Sequence, residues 1–246
     1  MLKQAWASLR RHRIKPLVAW RAMRTLISDP DDTSQVFHII EALKGDSLTR
    51  ALKRLQASPS GRQLLQELPD IVPLLNDREW LQGLPEGSIG RAYYDFVHAE
   101  NLSADGLIES SEQAPVYRDL NDEELWLANR LRDIHDLQHV MTGYGRDPVG
   151  ELSLLSFMTT QTPNRGIRFI IWMARRRYRQ VARNFDVDAL IREGAAMGRQ
   201  AKWMPAVAWE TRLGDSLAAV RRELGFAAPA SYQTLKDQAP ERLVAA

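Results

Sequence analysis

Two histidines and two carboxylates stand close together in the middle of the chain: His135, Asp136, His139 and Glu151. Histidines four residues apart lie on one face of a helix, with Cβ atoms roughly 6 Å apart, so both can bind one ion. Asp136 lies about 100° further round the helix, near enough for one oxygen to reach the same ion. We therefore predict a metal site, catalytic as well as metal-binding, formed by these four residues.

The donor atoms limit which metal this site can hold. Two imidazoles and two carboxylates suit Zn²⁺, and Mn²⁺ or Fe²⁺ would also accept them. The chain has no cysteine, which excludes disulfides, thiolate catalysis, cysteine-ligated zinc and iron–sulfur clusters. We predict zinc, with manganese and ferrous iron as alternatives.

The segment before the site carries the signals of a helix start. Asn121 suits an N-cap and Glu124 the third helical position of a capping box. The spacing predicts one helix over 122–142, with its inward stripe formed by Ala128, Leu131, His135, His139 and Thr142.

A short turn follows this helix. Gly143 and Gly145 end it, Asp147 offers an N-cap, and Pro148 fits the first position of the next helix. Helices joined by so short a turn are antiparallel neighbours, so we expect the metal site between them, with Glu151 facing the two histidines.

The whole chain reads as all-α, a single multi-helix domain over residues 1–246, because spacings of three and four dominate. We expect a basic N-terminal helix within 1–28 and a flexible tail over 230–246. The predicted helices span 2–26, 34–44, 47–57, 60–67, 69–75, 88–99, 122–142, 148–160, 165–184, 186–200 and 206–224.

Targeting signals are weak. No run approaches about 18 apolar residues, so we predict no membrane-spanning helix. The basic N-terminus lacks the apolar block of a secretory signal. We interpret it as a native helix rather than a mitochondrial transit peptide, since no Ser-rich spacer follows it.

Two other metal-enzyme classes share part of the motif. Zincin peptidases need Glu where this chain has Asp136, and Glu151 comes too soon for their third ligand. The His-Asp phosphohydrolase pattern could be imitated by His98, His135, Asp136 and Asp186. It leaves His139 and Glu151 unused, so it is the alternative interpretation.

The motif His-Asp-x-x-His, followed by eleven residues and Glu, resembles the signature of the ubiquinone (coenzyme Q) biosynthesis protein 4 family. The resemblance extends over about residues 30–232, although the family's Lys and Glu after the site are replaced here by the apolar run 152–158. Further matching segments are 85–93, 130–134, Gly143, 150–151, 209–210, 221–225, Pro229 and Tyr232.

This resemblance implies an all-α peripheral membrane protein with zinc bound by the four site residues. It implies removal of the ring carboxyl group of a polyprenylated 4-hydroxybenzoate, a carbon–carbon lyase reaction, and organisation of the other ubiquinone-biosynthesis proteins. The implied location is the cytoplasmic face of a bacterial inner membrane, or the matrix side of the mitochondrial one. A homo-oligomer is compatible with it.

The chemistry of the site agrees with this implication. A bound divalent cation can act as a Lewis acid, and a neighbouring acid can supply a proton to the ring. If hydroxyl replaces the carboxyl, a redox metal or dioxygen is needed, which zinc alone does not supply. A non-catalytic scaffold that binds prenyl lipid and holds a structural metal is a further alternative.

The substrate's tail needs an apolar channel, and apolar residues follow the site at 152–158 and 167–173. We predict substrate contacts from Arg130, Arg132, Leu155 and Met158. Net charge is only +2, but arginines without acids fill 165–183. They suit either an anionic membrane surface or a solvated helix face. We do not expect nucleic-acid binding, because no binding motif accompanies them.

Overall fold

The structure is a computed structural model that describes residues 13–29, 32–99, 120–181 and 186–238. Helices form the regular secondary structure of these ranges, without any β-strand, so the all-α prediction is confirmed. None of the helices described has the length and apolar character to cross a bilayer. The α-helices are α1 Pro16–Ser28, α2 Ser34–Leu43, α3 Ser47–Ala57, α4 Pro59–Glu67, α5 Val72–Asn76, α6 Arg78–Gly83, α7 Ile89–Ala99, α8 Asp122–Asp133, α9 His135–Thr142, α10 Pro148–Gln161, α11 Arg165–Val181, α12 Val187–Gln200, α13 Leu217–Leu224 and α14 Ala230–Gln238.

The first described helix begins later than predicted. Residues 13–15 are not helical, and α1 starts at Pro16, whose missing N–H would have no partner in a first turn. The prediction of a helix over 2–26 is therefore wrong at 13–15, and residues 1–12 lie outside the described part.

The predicted helix 122–142 is two helices. Ile134, between α8 and α9, has φ −85° and ψ 6°, and its N–H reaches both Arg130 O and Arg132 O. Ile134 is fully buried and interrupts the helix at this point. His135 therefore begins a new helix, although it still lines the same cavity as Ala128 and Leu131.

The prediction of a helix over 206–224 is also wrong in its first half. Short 3-10 helices at Met204–Ala206 and Trp209–Thr211 precede α13, which begins at Leu217 after the Ser216 N-cap. Trp209 is fully buried and donates its indole N–H to the Met204 carbonyl, which holds this segment as a packed loop.

The described part of the predicted tail after Pro229 is helical. Ala230–Gln238 forms α14, and Tyr232 within it is buried. Residues 239–246 lie outside the described residues.

The helices pack into one domain with a large core and two smaller ones. In the large core α10 and α12 approach very closely through glycines. A Cβ at Gly194 would lie 2.3 Å from the Ser153 carbonyl oxygen, and one at Gly198 would lie 2.5 Å from that of Phe157. Only glycine permits this approach, which fixes α10, the helix that carries Glu151.

Candidate metal centre

The structure brings the four predicted site residues together at α9 and the start of α10. His139 Nε2 lies 3.2 Å from Glu151 Oε1, and His135 Nε2 lies 3.9 Å from Glu151 Oε2. His135, Asp136 and His139 each offer a ligand atom within 4.8 Å of the others. This convergence would let several of their side chains reach one ion, and the metal itself stays a prediction.

His139 is oriented as a metal-binding histidine would be. Its Nδ1 lies 3.0 Å from the Tyr144 carbonyl oxygen, which can only accept a hydrogen bond. Nδ1 therefore carries the proton and Nε2 keeps a lone pair. Nε2 is buried and lies 3.2 Å from Glu151 Oε1, but the two atoms do not form a hydrogen bond. A buried acceptor without a donor fits a cation at this point.

His135 is held in a similar way by a side chain. Its Nδ1 lies 3.2 Å from Asp136 Oδ1, so the ring donates to a carboxylate that is 4% exposed. Carboxylates that bind the outer nitrogen of a histidine fix its tautomer and increase its basicity as a ligand. In this arrangement Asp136 orients His135, a role that the prediction of four equal ligands did not include.

The carboxylates of the cluster are ionised at neutral pH. Burial raises the pKa of Glu151, but the nearby His139 and His135 outweigh it and hold that pKa below its usual range. Burial likewise raises the pKa of Asp136, and the hydrogen bond and charge of His135 lower it further than burial raises it. Burial lowers the pKa of His135, while Asp136 and Glu151 raise it above its ordinary value. One buried and one part-buried negative charge favour a bound cation.

The turn between α9 and α10 is fixed from outside. Asp147 accepts hydrogen bonds from the Val149 and Gly150 N–H groups and so caps α10. The Tyr232 hydroxyl donates to Asp147 Oδ2 and accepts from the Gly145 N–H. Sequence reasoning missed this role of Tyr232, and the available signal was its place in the family resemblance.

His135 and Glu151 of the cluster line a cavity of about 1070 Å³. Together with three polar lining residues close to them in sequence they form what we call the polar wall: Arg132, His135, Gln138, Arg146 and Glu151. The rest of the lining is largely apolar and comes chiefly from α1, α2, α10 and α11. It includes Met23, Leu26, Phe37, Ile40, Leu155, Met158, Ile170 and Met173.

Three of the four predicted substrate-binding residues line the cavity, and the fourth does not. Leu155 and Met158 line the cavity, and so does Arg132, although its guanidinium pairs with Asp133 at 2.7 Å. Arg130 does not line it: its side chain is 1% exposed and pairs with Glu210 at 2.5 Å. It also donates to the Pro205 and Val207 carbonyls, so its described contacts hold the 204–207 segment.

The phosphohydrolase alternative loses one of its residues. Asp186 caps α12 through the Ala189 N–H, and its side chain is 66% exposed. It takes no part in the potential metal group found among the described residues. The side chain of His98 lies outside the described part of the chain.

The arginine-rich flank is divided between two environments. On α11, Arg175 and Arg179 pair with Asp188, whereas Arg168 and Arg176 are exposed near the exposed ring of Trp172. On α1 the exposed apolar residues Leu17, Val18, Trp20 and Ile27 alternate with exposed Arg21 and Arg24.

Fold and site together define an all-helical protein whose histidine–carboxylate cluster opens onto an apolar cavity. The family described as coenzyme Q (ubiquinone) biosynthesis protein Coq4 matches residues 9–230. The chain belongs to this family of ubiquinone-biosynthesis proteins.

Curated relatives agree with this assignment. The mitochondrial ubiquinone biosynthesis protein COQ4 homologs of rat and human are each 33% identical, over 73% and 72% of this chain. The matches span 65% and 64% of those proteins, just under two thirds of their length. A crystal structure of a Nostoc punctiforme protein, described as a ubiquinone biosynthesis protein, shares the fold. Its TM-score is 0.65 at 21% identity, covering 86% of this chain and 98% of that one.

Proposed function

We propose that this protein removes the ring carboxyl group of a polyprenylated 4-hydroxybenzoate-type intermediate in ubiquinone biosynthesis. A divalent metal, zinc in the first instance, would be held by His135, His139 and Glu151, with Asp136 beside them. The observation that carries the proposal is that two members of this cluster, His135 and Glu151, line the same cavity as a long apolar surface.

The cavity suits a substrate with a polar head and a prenyl tail. Its volume of about 1070 Å³ is at the upper end of ordinary ligand sites. Each buried methylene of a tail contributes about 0.8 kcal/mol, so a lining from four helices can hold a prenyl chain strongly. The polar wall then receives the ring, beside the histidines.

The residues of the site would orient and polarise the ring. Tyr144 and Asp136 fix the two imidazoles with Nδ1–H directed outward, leaving Nε2 of each for the ion. When bound, the metal supplies a Lewis acid for the carboxylate or phenolic oxygen. The apolar lining excludes water, which favours loss of a charged carboxylate as neutral carbon dioxide.

The atoms balance in either of two ways. The ring–carboxyl bond breaks, carbon dioxide leaves, and the electron pair left on the ring carbon takes up one proton. If a hydroxyl group takes that position instead, the ring loses two electrons and gains an oxygen atom: dioxygen would accept the electrons and become hydrogen peroxide, and water would supply the oxygen. The product therefore identifies which of the two reactions the protein catalyses.

The deciding experiment is a lipid mass-spectrometry profile of a host that lacks the gene, complemented with wild type, His139→Ala or His38→Ala. We expect a prenylated, still carboxylated ring compound to accumulate in the deletion and His139→Ala strains alone. His38 lies on α2 outside the cluster and serves as the matched control. A normal quinone pool in the deletion strain would contradict the proposal. Restoration by His139→Ala would favour the non-catalytic scaffold.

We further propose that the protein meets its lipid and the other pathway enzymes at a membrane surface. Exposed Leu17, Trp20 and Trp172 stand among arginines, the composition of a surface that binds anionic lipid. The rat and human relatives are named as mitochondrial. Sedimentation with anionic vesicles tests this: Leu17→Ser with Trp20→Ser should weaken binding, and unchanged binding would count against this surface.

A further inference from the structure

The polar wall contains an arginine, Arg146, that makes no hydrogen bond to the histidine–carboxylate cluster. The guanidinium of Arg146 has its Nη1 3.7 Å from Asp136 Oδ1, beyond hydrogen-bond distance. Among the described residues it makes no hydrogen bond, and its side chain is 26% exposed toward the cavity. The other arginine of the wall, Arg132, is already paired with Asp133. Arg146 is therefore the wall's available donor for an anion.

The same wall contains an acceptor without a donor. Gln138 is 4% exposed and lines the cavity, and its side-chain oxygen has no hydrogen-bond partner among the described residues. A buried amide oxygen left unpaired costs about 1–3 kcal/mol, and a ligand hydroxyl would relieve that cost. Gln138 and Arg146 lie on α9 and just after it, so both flank the histidines.

We propose that Arg146 and Gln138 form a recognition site for a hydroxylated aromatic carboxylate, in which Arg146 binds the carboxylate and Gln138 accepts from the ring hydroxyl. This inference rests on the proposed function and adds which residues bind the polar groups of the substrate's ring. Arginine suits the task because its planar fork can donate two parallel hydrogen bonds to a carboxylate.

Charge gives the site a preference for substrate over product. The Arg146 guanidinium is a positive charge on the cavity wall that makes no hydrogen bond to Asp136, which lies 3.7 Å away. An arriving carboxylate neutralises that charge, and its loss as carbon dioxide restores it. The decarboxylated ring is therefore bound less tightly and leaves more readily.

The test compares two ligands that differ only in the carboxyl group, 3-geranyl-4-hydroxybenzoate and 2-geranylphenol. Affinities are measured by titration calorimetry on the zinc-loaded full chain without dioxygen, with mass spectrometry to show that each ligand stays intact. We expect the acid to bind roughly 10- to 100-fold more tightly, as for a hydrogen bond to a charged group. Arg146→Gln should remove most of that ratio while leaving phenol binding unchanged, and Arg146→Lys should keep part of it.

Two further variants separate the roles. Arg177→Gln removes the same charge from a cavity-lining arginine of α11 and should leave the ratio intact. Gln138→Met should weaken both ligands alike, because both keep the hydroxyl. An unchanged ratio in Arg146→Gln, or an equal loss for both ligands, would overturn the inference. Equal binding of both ligands to wild type would overturn it and leave the proposed function standing. Binding of neither would overturn both.

Discussion

The Tyr232 hydroxyl donates a hydrogen bond to the Asp147 carboxylate, although the two residues stand 85 positions apart. Asp147 caps the helix that carries Glu151, and the same hydroxyl accepts from the Gly145 N–H. One phenol of the last described helix therefore holds the turn that sets the spacing between His139 and Glu151.

Tyr232→Phe tests this link. We expect a loss of about 1–2 kcal/mol in the free energy of unfolding, since a part-buried carboxylate and an N–H lose a partner. Metal binding should weaken as well, because the cap of α10 loosens. A denaturant titration alone and combined with Asp147→Ala measures the coupling. Additive effects of the two changes would mean that the hydrogen bond contributes nothing.

His139→Ala should remove the metal without unfolding the chain. Loss of a hydrogen-bond partner of a metal ligand already costs about 10- to 100-fold in affinity, so loss of the ligand should cost more. Elemental analysis after dialysis gives the metal content, and circular dichroism reports the fold. His38→Ala is the control and should bind metal as wild type does. Full metal content in His139→Ala would contradict the assignment.

Gly194→Ala should destabilise the protein through the contact of α10 with α12. The new Cβ would lie 2.3 Å from the Ser153 carbonyl oxygen. Relieving this clash would require the backbone of one of the two helices to move. We expect a cost of about 1–3 kcal/mol, the range for overpacked cores. Gly83→Ala is the matched control, because nothing lies within 4 Å of a Cβ there. Thermal melts should show a lower melting temperature for Gly194→Ala than for wild type. The melting temperature of Gly83→Ala should be unchanged or slightly higher.

Asp188 should give the fold an acid-sensitive contribution. Its hydrogen bonds from Arg175 and then Arg179 hold the pKa of Asp188 below its unfolded value of 3.8. The ionised carboxylate therefore stabilises the fold above that value, and the effect is lost as pH falls through the lower, folded pKa.

Asp188→Asn should accordingly melt about 2 °C lower than wild type at neutral pH. The difference should persist down to the unfolded pKa of 3.8 and shrink below it. Asp237→Asn, which removes an exposed carboxylate of α14, is the control. If the difference in melting temperature between Asp188→Asn and wild type grew as the pH fell, the pH dependence would have the opposite sign to the one expected here and would contradict this account.

The part of the site that depends on local spacing could be predicted from sequence. The four-residue interval between His135 and His139, and the Asp147-Pro148 helix start before Glu151, are local signals, and the structure brings these side chains together. The place of the carboxylates beside the imidazoles follows from the same short stretch.

The features that could not be predicted from the sequence are those set by contacts between residues far apart in the chain. Arg130 pairs with Glu210, 80 residues away, so the spacing around it contains no sign of burial. The break at Ile134 and the packed loop over 204–216 similarly reflect tertiary contacts overriding helical periodicity. The helix α14 contacts distant residues, since Tyr232 donates to Asp147 and the Ser231 N–H donates to Glu193, and the polar sequence after Pro229 does not show these contacts.

The α1 wall of the cavity belongs to a different core from the histidines, so we expect it to open more easily than they do. Ala19, Ala22 and Met23 of α1 belong to a small core shared with α2 and α11, whereas α9 and most of α10 lie in the large core. Segments with few buried contacts unfold locally at a lower free energy than the whole chain. Amide hydrogens of α1 should therefore exchange faster than those of α9. On the proposed function, such local opening would give a lipid tail a route into the cavity while the histidine cluster stays in place.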